Sequence, residues 1–259
     1  MADMPNYDKQ FYDDIRETSR HAAQTIVPMV LELIGPVASV IDIGCGNGIW
    51  LSVFREHGAE RTLGLDGNHV DRATLEIAEG DFKAADLGHP LPIAGRHDLA
   101  MTLEVVEHLP KARAESIVDD LVSLAPVVLF SAAVPGQGGE GHVNEEWQDT
   151  WAERFERRGY RVLDPIRPKI WRDPSISWWY QQNLLLFASP EAIAGNPNLT
   201  RVANQTDRAR LSVVHPRVFL ARHKFLRQIN RERIDLAKKL EELQAKYDAL
   251  SGSNDPAKN

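Results

Sequence analysis

Val40-Ile41-Asp42-Ile43-Gly44-Cys45-Gly46-Asn47-Gly48 is the stretch whose reading decides the fold. A run rich in β-branched apolar residues stops at three glycines, each separated from the next by a single residue. The run predicts a buried strand and the glycines a tight turn that opens a helix. Without a Cβ, these residues take left-handed backbone and let a ligand lie against the chain. Leu63-Gly64-Leu65-Asp66 then reads as a second strand ending on a carboxylate. An aspartate about 20 residues beyond such a turn is placed to accept hydrogen bonds from ribose hydroxyls.

The glycine spacing narrows the choice of ligand. A dinucleotide site has G-x-G-x-x-G, so that a helix N-terminus faces a pyrophosphate. This chain has G-x-G-x-G with Asp42 just ahead, a carboxylate that repels phosphate and suits an ammonium or sulfonium centre. An adenine-dinucleotide oxidoreductase is therefore disfavoured. The segment resembles motif I, D/E-x-G-x-G-x-G, of the class I S-adenosylmethionine-dependent methyltransferases, and the resemblance extends over residues 40–188. It implies an α/β, doubly wound, seven-stranded and mostly parallel sheet whose last strand is antiparallel. It also implies S-adenosylmethionine as cofactor. Asp42, Gly44, Cys45, Gly46 and Gly48 would border its methionine portion, Asp66 and Gly67 its ribose, and Asp86 and Leu87 its adenine, with Asp81 the alternative acid. Glu104, at the end of the fourth strand, completes this set.

The rest of the chain reads in the same pattern. Phe11, Ile15, Ala22, Ile26, Val30 and Leu33 recur at helical spacing, so residues 1–36 are expected as one or two helices forming an N-terminal lid. Tyr7, Phe11 and Tyr12 either cover the cofactor or pack on the sheet. Strands are expected at 40–43, 61–66, 82–85, 97–103, 126–134, 160–166 and 182–188, with helices at 49–57, 110–124 and 145–158. Strands alternating with helices predict a doubly wound sheet, here a methyltransferase-like domain over 37–190. Residues 191–215, rich in Pro, Asn, Gly and Thr, read as a linker. A long helix is expected over 216–251, and 252–259 as a disordered tail. In that helix Leu226, Ile229, Arg233, Leu236, Leu240, Leu243, Tyr247 and Leu250 alternate at spacings of three and four, the seam of a coiled coil and of a homo-oligomer of either orientation; the alternative is a helix lying back on its own domain.

Bulk properties predict a soluble, cytoplasmic enzyme. With 43% hydrophobic residues in 259, the chain can bury a full core. No apolar run approaches the ~20 residues of a membrane span, and Met1-Ala2-Asp3-Met4-Pro5-Asn6 lacks signal-peptide character. One cysteine fits a reducing compartment. A net charge of −7 argues against an extended nucleic-acid surface.

Two segments carry the candidate chemistry: Glu104-Val105-Val106-Glu107-His108-Leu109-Pro110 and Gly141-His142-Val143-Asn144-Glu145-Glu146-Trp147. The E-x-x-E-H pattern is common in the superfamily. In ubiquinone-pathway O-methyltransferases and plant-type small-RNA 2′-O-methyltransferases it forms part of a divalent-metal site. In the latter group a further histidine ahead of a Glu-Trp pair completes it. The resemblance implies Glu104, Glu107, His108 and His142 as ligands of Mg2+, Mn2+ or Zn2+. Without a metal, His142 and His108 are general bases supported by Glu107. In the bland alternative Glu107 and His108 only cap the following helix while His142 lines a pocket. Trp171, Trp178, Trp179 and Tyr180 are expected either to wall an acceptor pocket or to serve as core or dimer contacts. The glycine-dense loop 135–141 is expected to be mobile and to fold over the acceptor. The expected activity is O-methylation of a small hydroxylated metabolite or glycosyl unit. Alternatives are an N-methyltransferase, a small-RNA 2′-O-methyltransferase, or a non-catalytic module that binds the cofactor.

Overall fold

The apolar run ahead of the glycines forms β1, Ser39–Ile43, buried along its whole length. The computed structural model describes residues 9–93 and 95–252, with side chains from 17 to 250. Tyr7, the side chains of Phe11 and Tyr12, and residues 253–259 of the expected tail lie outside the described residues. The chain forms two compact units, Met1–Val213 and Val214–Asn259.

In the first unit, α1 (Lys9–Ile34) is a single helix that runs through Pro28. It is followed by β1, α2 (Ile49–Glu56), β2 (Arg61–Asp66), β3 (Phe82–Ala84) and β4 (Leu99–Leu103). Then come α3 (Arg113–Leu124), β5 (Val127–Ser131), α4 (Gln148–Glu156), β6 (Arg161–Leu163), α5 (Arg167–Ile170), α6 (Trp178–Asn183) and β7 (Leu185–Ala188). Two short helices, α7 (Pro190–Gly195) and α8 (Pro197–Gln205), complete the unit. The seven strands form one sheet in the order β3-β2-β1-β4-β5-β7-β6. All neighbours are parallel except β7, which runs antiparallel to both β5 and β6.

Alternation along the strands sorts side chains onto two faces. Val40, Leu99, Met101, Leu129 and Leu186 join the cluster containing Ile26, Val30 and Phe54 of α1 and α2. Ile41, Ile43, Ala100, Phe130 and Phe187 join the one containing Ile117, Leu121, Trp151 and Phe155 of α3 and α4. On that face Phe155 stacks on Phe187 at 3.8 Å, and Phe130 meets both rings edge-on. The strand order reverses between β1 and β4, so their carboxyl ends border the crevice where open α/β sheets bind ligands.

Two segments differ from the sequence reading. Residues 190–205 are helical, not a linker. Ser189 caps α7 through Ala192 N and Asn196 caps α8 through Asn198 N, each with a proline at the first helical position. Ser-Pro and Asn-Pro are helix starts as much as turn signals, and α8 buries Leu199, Val202 and Ala203. The final strand starts at Leu185 because Gln182 and Asn183 belong to the last turn of α6.

In the second unit, α9 (Pro216–Gly252) is one continuous helix of 37 residues. None of the described helices is long and apolar enough to cross a membrane.

Candidate functional site

The turn after β1 is shaped by backbone that only glycine takes easily. Gly44, Gly46 and Gly48 have φ of 83°, 54° and 83°. A Cβ on Gly44 would lie 2.3 Å from the Val105 side chain, and one on Gly48 would lie 2.8 Å from Ile77. One on Gly46 would meet nothing within 4 Å, because that residue faces open space. Asp66, at the end of β2, locks the turn in place. Its Oδ2 accepts from Gly46 N at 2.7 Å and its Oδ1 from Gly67 N at 2.6 Å.

Two cavities share Gly44, Gly46, His69 and Leu103. The first, about 820 Å³, is also lined by Asp66, Gly67, Asp86, Leu87, Glu104 and His108. The second, about 650 Å³, is also lined by Ser19, Asp42, Cys45, Asn47, Trp50 and Tyr180. Asp86 is exposed to the first cavity, whereas Asp81 is engaged by Arg55 and Thr62 elsewhere. Gly48 lines neither cavity and serves the turn itself. Burial, and then neighbouring Asp66, pushes the Asp42 carboxyl well above its ordinary range. Its Oδ1 has no hydrogen-bond partner.

The carboxyl end of β4 is built differently. Glu104, φ 55°, is the one non-glycine residue with left-handed backbone among the described residues, a strain of about 1–3 kcal/mol. Its backbone N–H donates to Ser131 O at 3.0 Å. Its carboxylate accepts from Asn183 at 3.0 Å and from Gln137 at 3.1 Å, and Gln182 donates in turn to Gln137 Oε1 at 2.9 Å. These amides tie the glycine-dense loop to the site.

A single turn of 3-10 helix, Val106–His108, follows. It turns Glu107 inward, to 1% exposure. The Glu107 carbonyl accepts from Val143 N at 2.9 Å and Asn144 N at 3.0 Å, which stitches the His142 loop to this turn. Neither carboxylate oxygen of Glu107 has a hydrogen-bond partner of good geometry. Burial, then nearby Glu104, pushes this carboxyl well above its usual range, and the backbone amides of Glu107 and Ala133 offset only part of that. The His108 and His142 rings meet edge to face, with centroids 4.7 Å apart. Burial and His142 lower the His108 pKa, which favours a neutral imidazole. His142 Nδ1 lies 3.0 Å from Glu145 Oε1. The Glu145 carboxylate also accepts from Gly136 N at 2.7 Å and Gly138 N at 2.9 Å.

One ligand atom each from Glu107, His108 and His142 lies within 4.8 Å of the others. Of the four expected metal ligands the fold thus gathers three. Glu104 stands apart, its carboxylate held by Asn183 and Gln137.

Of the aromatic segment, Tyr180 reaches the second cavity, with Trp50 edge-on at 5.4 Å. Trp171, Trp178 and Trp179 line neither cavity, and Trp178 packs on Trp179 at 5.4 Å. Sequence reasoning missed Ser19, Asn47, Trp50 and His69 as cavity residues, and Gln137 and Glu145 as parts of the polar frame, whereas Asn183 belongs to the amide-bearing segment it expected at the pocket. Trp50 gave a signal, since it follows the glycine turn in the first turn of a helix.

Residues 15–157 match the sequence model of a family described as a methyltransferase domain. A 115-residue stretch is 30% identical to the 18S rRNA (guanine(1575)-N(7))-methyltransferase of Saccharomyces cerevisiae, covering 39% of this chain and 42% of that one. The chain thus spans about two-fifths of the length of this curated relative. Among solved structures, DesVI of Streptomyces venezuelae superposes with a TM-score of 0.54 at 13% identity, over 73% of this chain and 99% of that one. An O-methyltransferase family protein from Burkholderia thailandensis gives a TM-score of 0.51 at 15% identity, over 71% and 60% respectively. At these identities the structural likenesses establish the fold.

Proposed function

The chain belongs to the methyltransferase-domain family, and on that premise we propose that it moves the methyl group of S-adenosylmethionine to a hydroxyl of a small metabolite or glycosyl unit. The observation that carries this reading is the buried, unpartnered Glu107 carboxylate beside His108 and His142. A ring nitrogen such as guanine N7 attacks through a free lone pair and needs no base. A hydroxyl must lose its proton, and this cluster is equipped to take it.

In this reading the first cavity takes the nucleoside, with Asp66 on the ribose and Asp86 and Leu87 at the adenine. The methionine portion lies along Gly44 and Gly46, its ammonium toward Asp42. Methyl transfer from a sulfonium is an in-line displacement, so the site mainly aligns nucleophile and methyl carbon within about 3–3.5 Å. His108, neutral and facing the first cavity, accepts the hydroxyl proton. His142 lines neither cavity; held by Glu145 through Nδ1, it packs edge to face on His108 and positions that ring.

The donor set also fits a divalent cation. One buried carboxylate without a hydrogen-bond partner of good geometry and two imidazoles are an N/O set suited to Zn2+ or Mn2+ and compatible with Mg2+. Glu107, His108 and His142 would hold it, and His108 would then be a ligand in place of the base. When bound, such a cation supplies Lewis acidity that lowers the pKa of a nearby hydroxyl.

The test is melting temperature with S-adenosylhomocysteine in chelator, then with each cation. A ligand that binds only the native state raises it. We expect a rise with the nucleoside and a further rise with metal that His142→Ala removes. No rise at saturating nucleoside overturns the cofactor reading. Labelled methyl incorporated into RNA and not into hydroxylated small molecules overturns the acceptor reading.

A further inference from the structure

Among the described residues, neither cavity is lined by a lysine or an arginine. Arg20, beside Ser19 on α1, pairs with Glu56 and Glu76, and Arg72 lies over the Phe82 ring. His69 lines both cavities, but its Nε2 lies 3.6 Å from Asp66 Oδ1. The methionine portion of the cofactor ends in a carboxylate as well as an ammonium, and Asp42 suits only the ammonium. The negative end therefore needs a receiver that is not a cation.

The second cavity offers a cluster of neutral donors from three helices. Ser19 of α1, Trp50 of α2 and Tyr180 of α6 all line it. The Trp50 and Tyr180 rings meet edge-on at 5.4 Å, and Tyr180 is buried. Trp50, Ser19 and Trp179 lie within hydrogen-bonding reach of the Tyr180 hydroxyl. An indole N–H can only donate, so the phenol oxygen is the acceptor in both tryptophan contacts. Its own hydrogen remains to be given, to Ser19 or to a ligand, and a phenol that accepts hydrogen bonds donates more strongly. Burial, and then the nearby Glu104 carboxylate, push this hydroxyl up to about 12, so it keeps its proton and stays a donor. Glu104 does not compete for it, because Asn183 and Gln137 hold that carboxylate.

We propose that Tyr180, with Ser19 and Trp50 beside it, receives the carboxylate of the cofactor's methionine portion, so that neutral donors hold it in place of a cation. The assignment rests on the cofactor reading above and names the residues at the far end of that cofactor. Hydrogen bonds from neutral groups to an ionised carboxylate are strengthened by its charge, so no counter-ion is required. Tyr180, expected at an acceptor pocket, then serves the cofactor instead. Ser19 makes α1, whose Ile26 and Val30 pack in the core, a part of the cofactor site as well.

The experiment measures calorimetric binding of two probes to the full chain. One is S-adenosylhomocysteine, and the other is its decarboxylated analogue, which keeps the ammonium. Tyr180→Phe leaves the ring against Trp50 and removes only the hydroxyl. It should weaken S-adenosylhomocysteine about tenfold, the worth of a hydrogen bond to a charged group, and leave the analogue within about twofold. Ser19→Ala, at a half-buried position that folding tolerates, should act in the same selective way by about threefold. His69→Ala should not distinguish the two probes. Equal losses for both probes in Tyr180→Phe and Ser19→Ala mark a structural role and overturn the assignment, as does the absence of any loss. A selective loss in His69→Ala and not in Tyr180→Phe overturns it in favour of the imidazole. If neither probe binds the parent chain, the cofactor reading itself falls and this assignment with it, a result that the variants cannot imitate.

Discussion

The carboxyl ends of β1 and β2 and the carboxyl end of β4 border the same crevice, yet they are finished in opposite ways. At β1 and β2 the key carboxylate is already satisfied: Asp66 accepts two backbone N–H groups and holds the glycine turn in shape. At β4 Glu107 is sealed from water with both oxygens unpartnered, next to two imidazoles and a residue in strained backbone. The first region is a preformed cradle. The second holds a buried carboxyl whose burial the nearby backbone amides offset only in part. In the proposed function the first region holds the cofactor and the second does the chemistry on it.

Substitutions at the two ends should therefore behave differently. The largest effect is expected for His142→Ala, a fall in kcat of about 10²–10⁴-fold, the usual worth of a positioned acid or base. Calorimetric affinity for S-adenosylhomocysteine should stay within a few-fold of the parent value. Asp66→Ala should do the reverse. Losing charge-assisted hydrogen bonds weakens nucleoside binding by about 1–3 kcal/mol, while turnover at saturating cofactor falls much less. If both variants lose affinity equally, the two ends are not separate devices.

Glu107→Gln should sharpen the contrast, because in chelator it is expected to stabilise the fold. The folded-state pKa of Glu107 is raised, so its contribution is fully present below the unfolded carboxylate pKa. It is lost as pH rises through the folded value. Gln removes that penalty, so thermal unfolding at pH 8 should favour the variant by about 1–3 kcal/mol and show no gap near pH 4. With cation present the order should invert. The smallest effect is expected for Trp178→Phe, a change in KM of less than about threefold in steady-state kinetics, since its ring lines neither cavity.

The sequence carried the cradle well and the β4 end only in part. Three glycines at two-residue intervals and an aspartate beyond them constrain backbone directly, so Gly44, Gly46 and Asp66 could be placed from their spacing. Glu107, His108 and His142 were legible as residue types in order along the chain. Which of them converge depends on how the loop from β5 is stitched to the turn after β4. Glu104 shows the difference: its spacing from Glu107 suggests a shared ligand set, but Asn183, 79 residues away, takes its carboxylate. Polar contacts of that range leave no local pattern. The helices at 190–205 were hidden for another reason, since prolines and asparagines that start helices have the composition of a loop.

The placement of β7 also governs how the molecule comes off the ribosome. β7 lies between β5 and β6, but it is made after both. Roughly fifty residues separate the end of β5 from the start of β7, several seconds of synthesis at usual elongation rates. Throughout that interval the buried edge formed by Val127, Val128, Leu129 and Phe130 has no neighbour on one side. A nascent chain from which Leu185–Ala188 has not yet emerged should be a better client of holding chaperones than one from which it has.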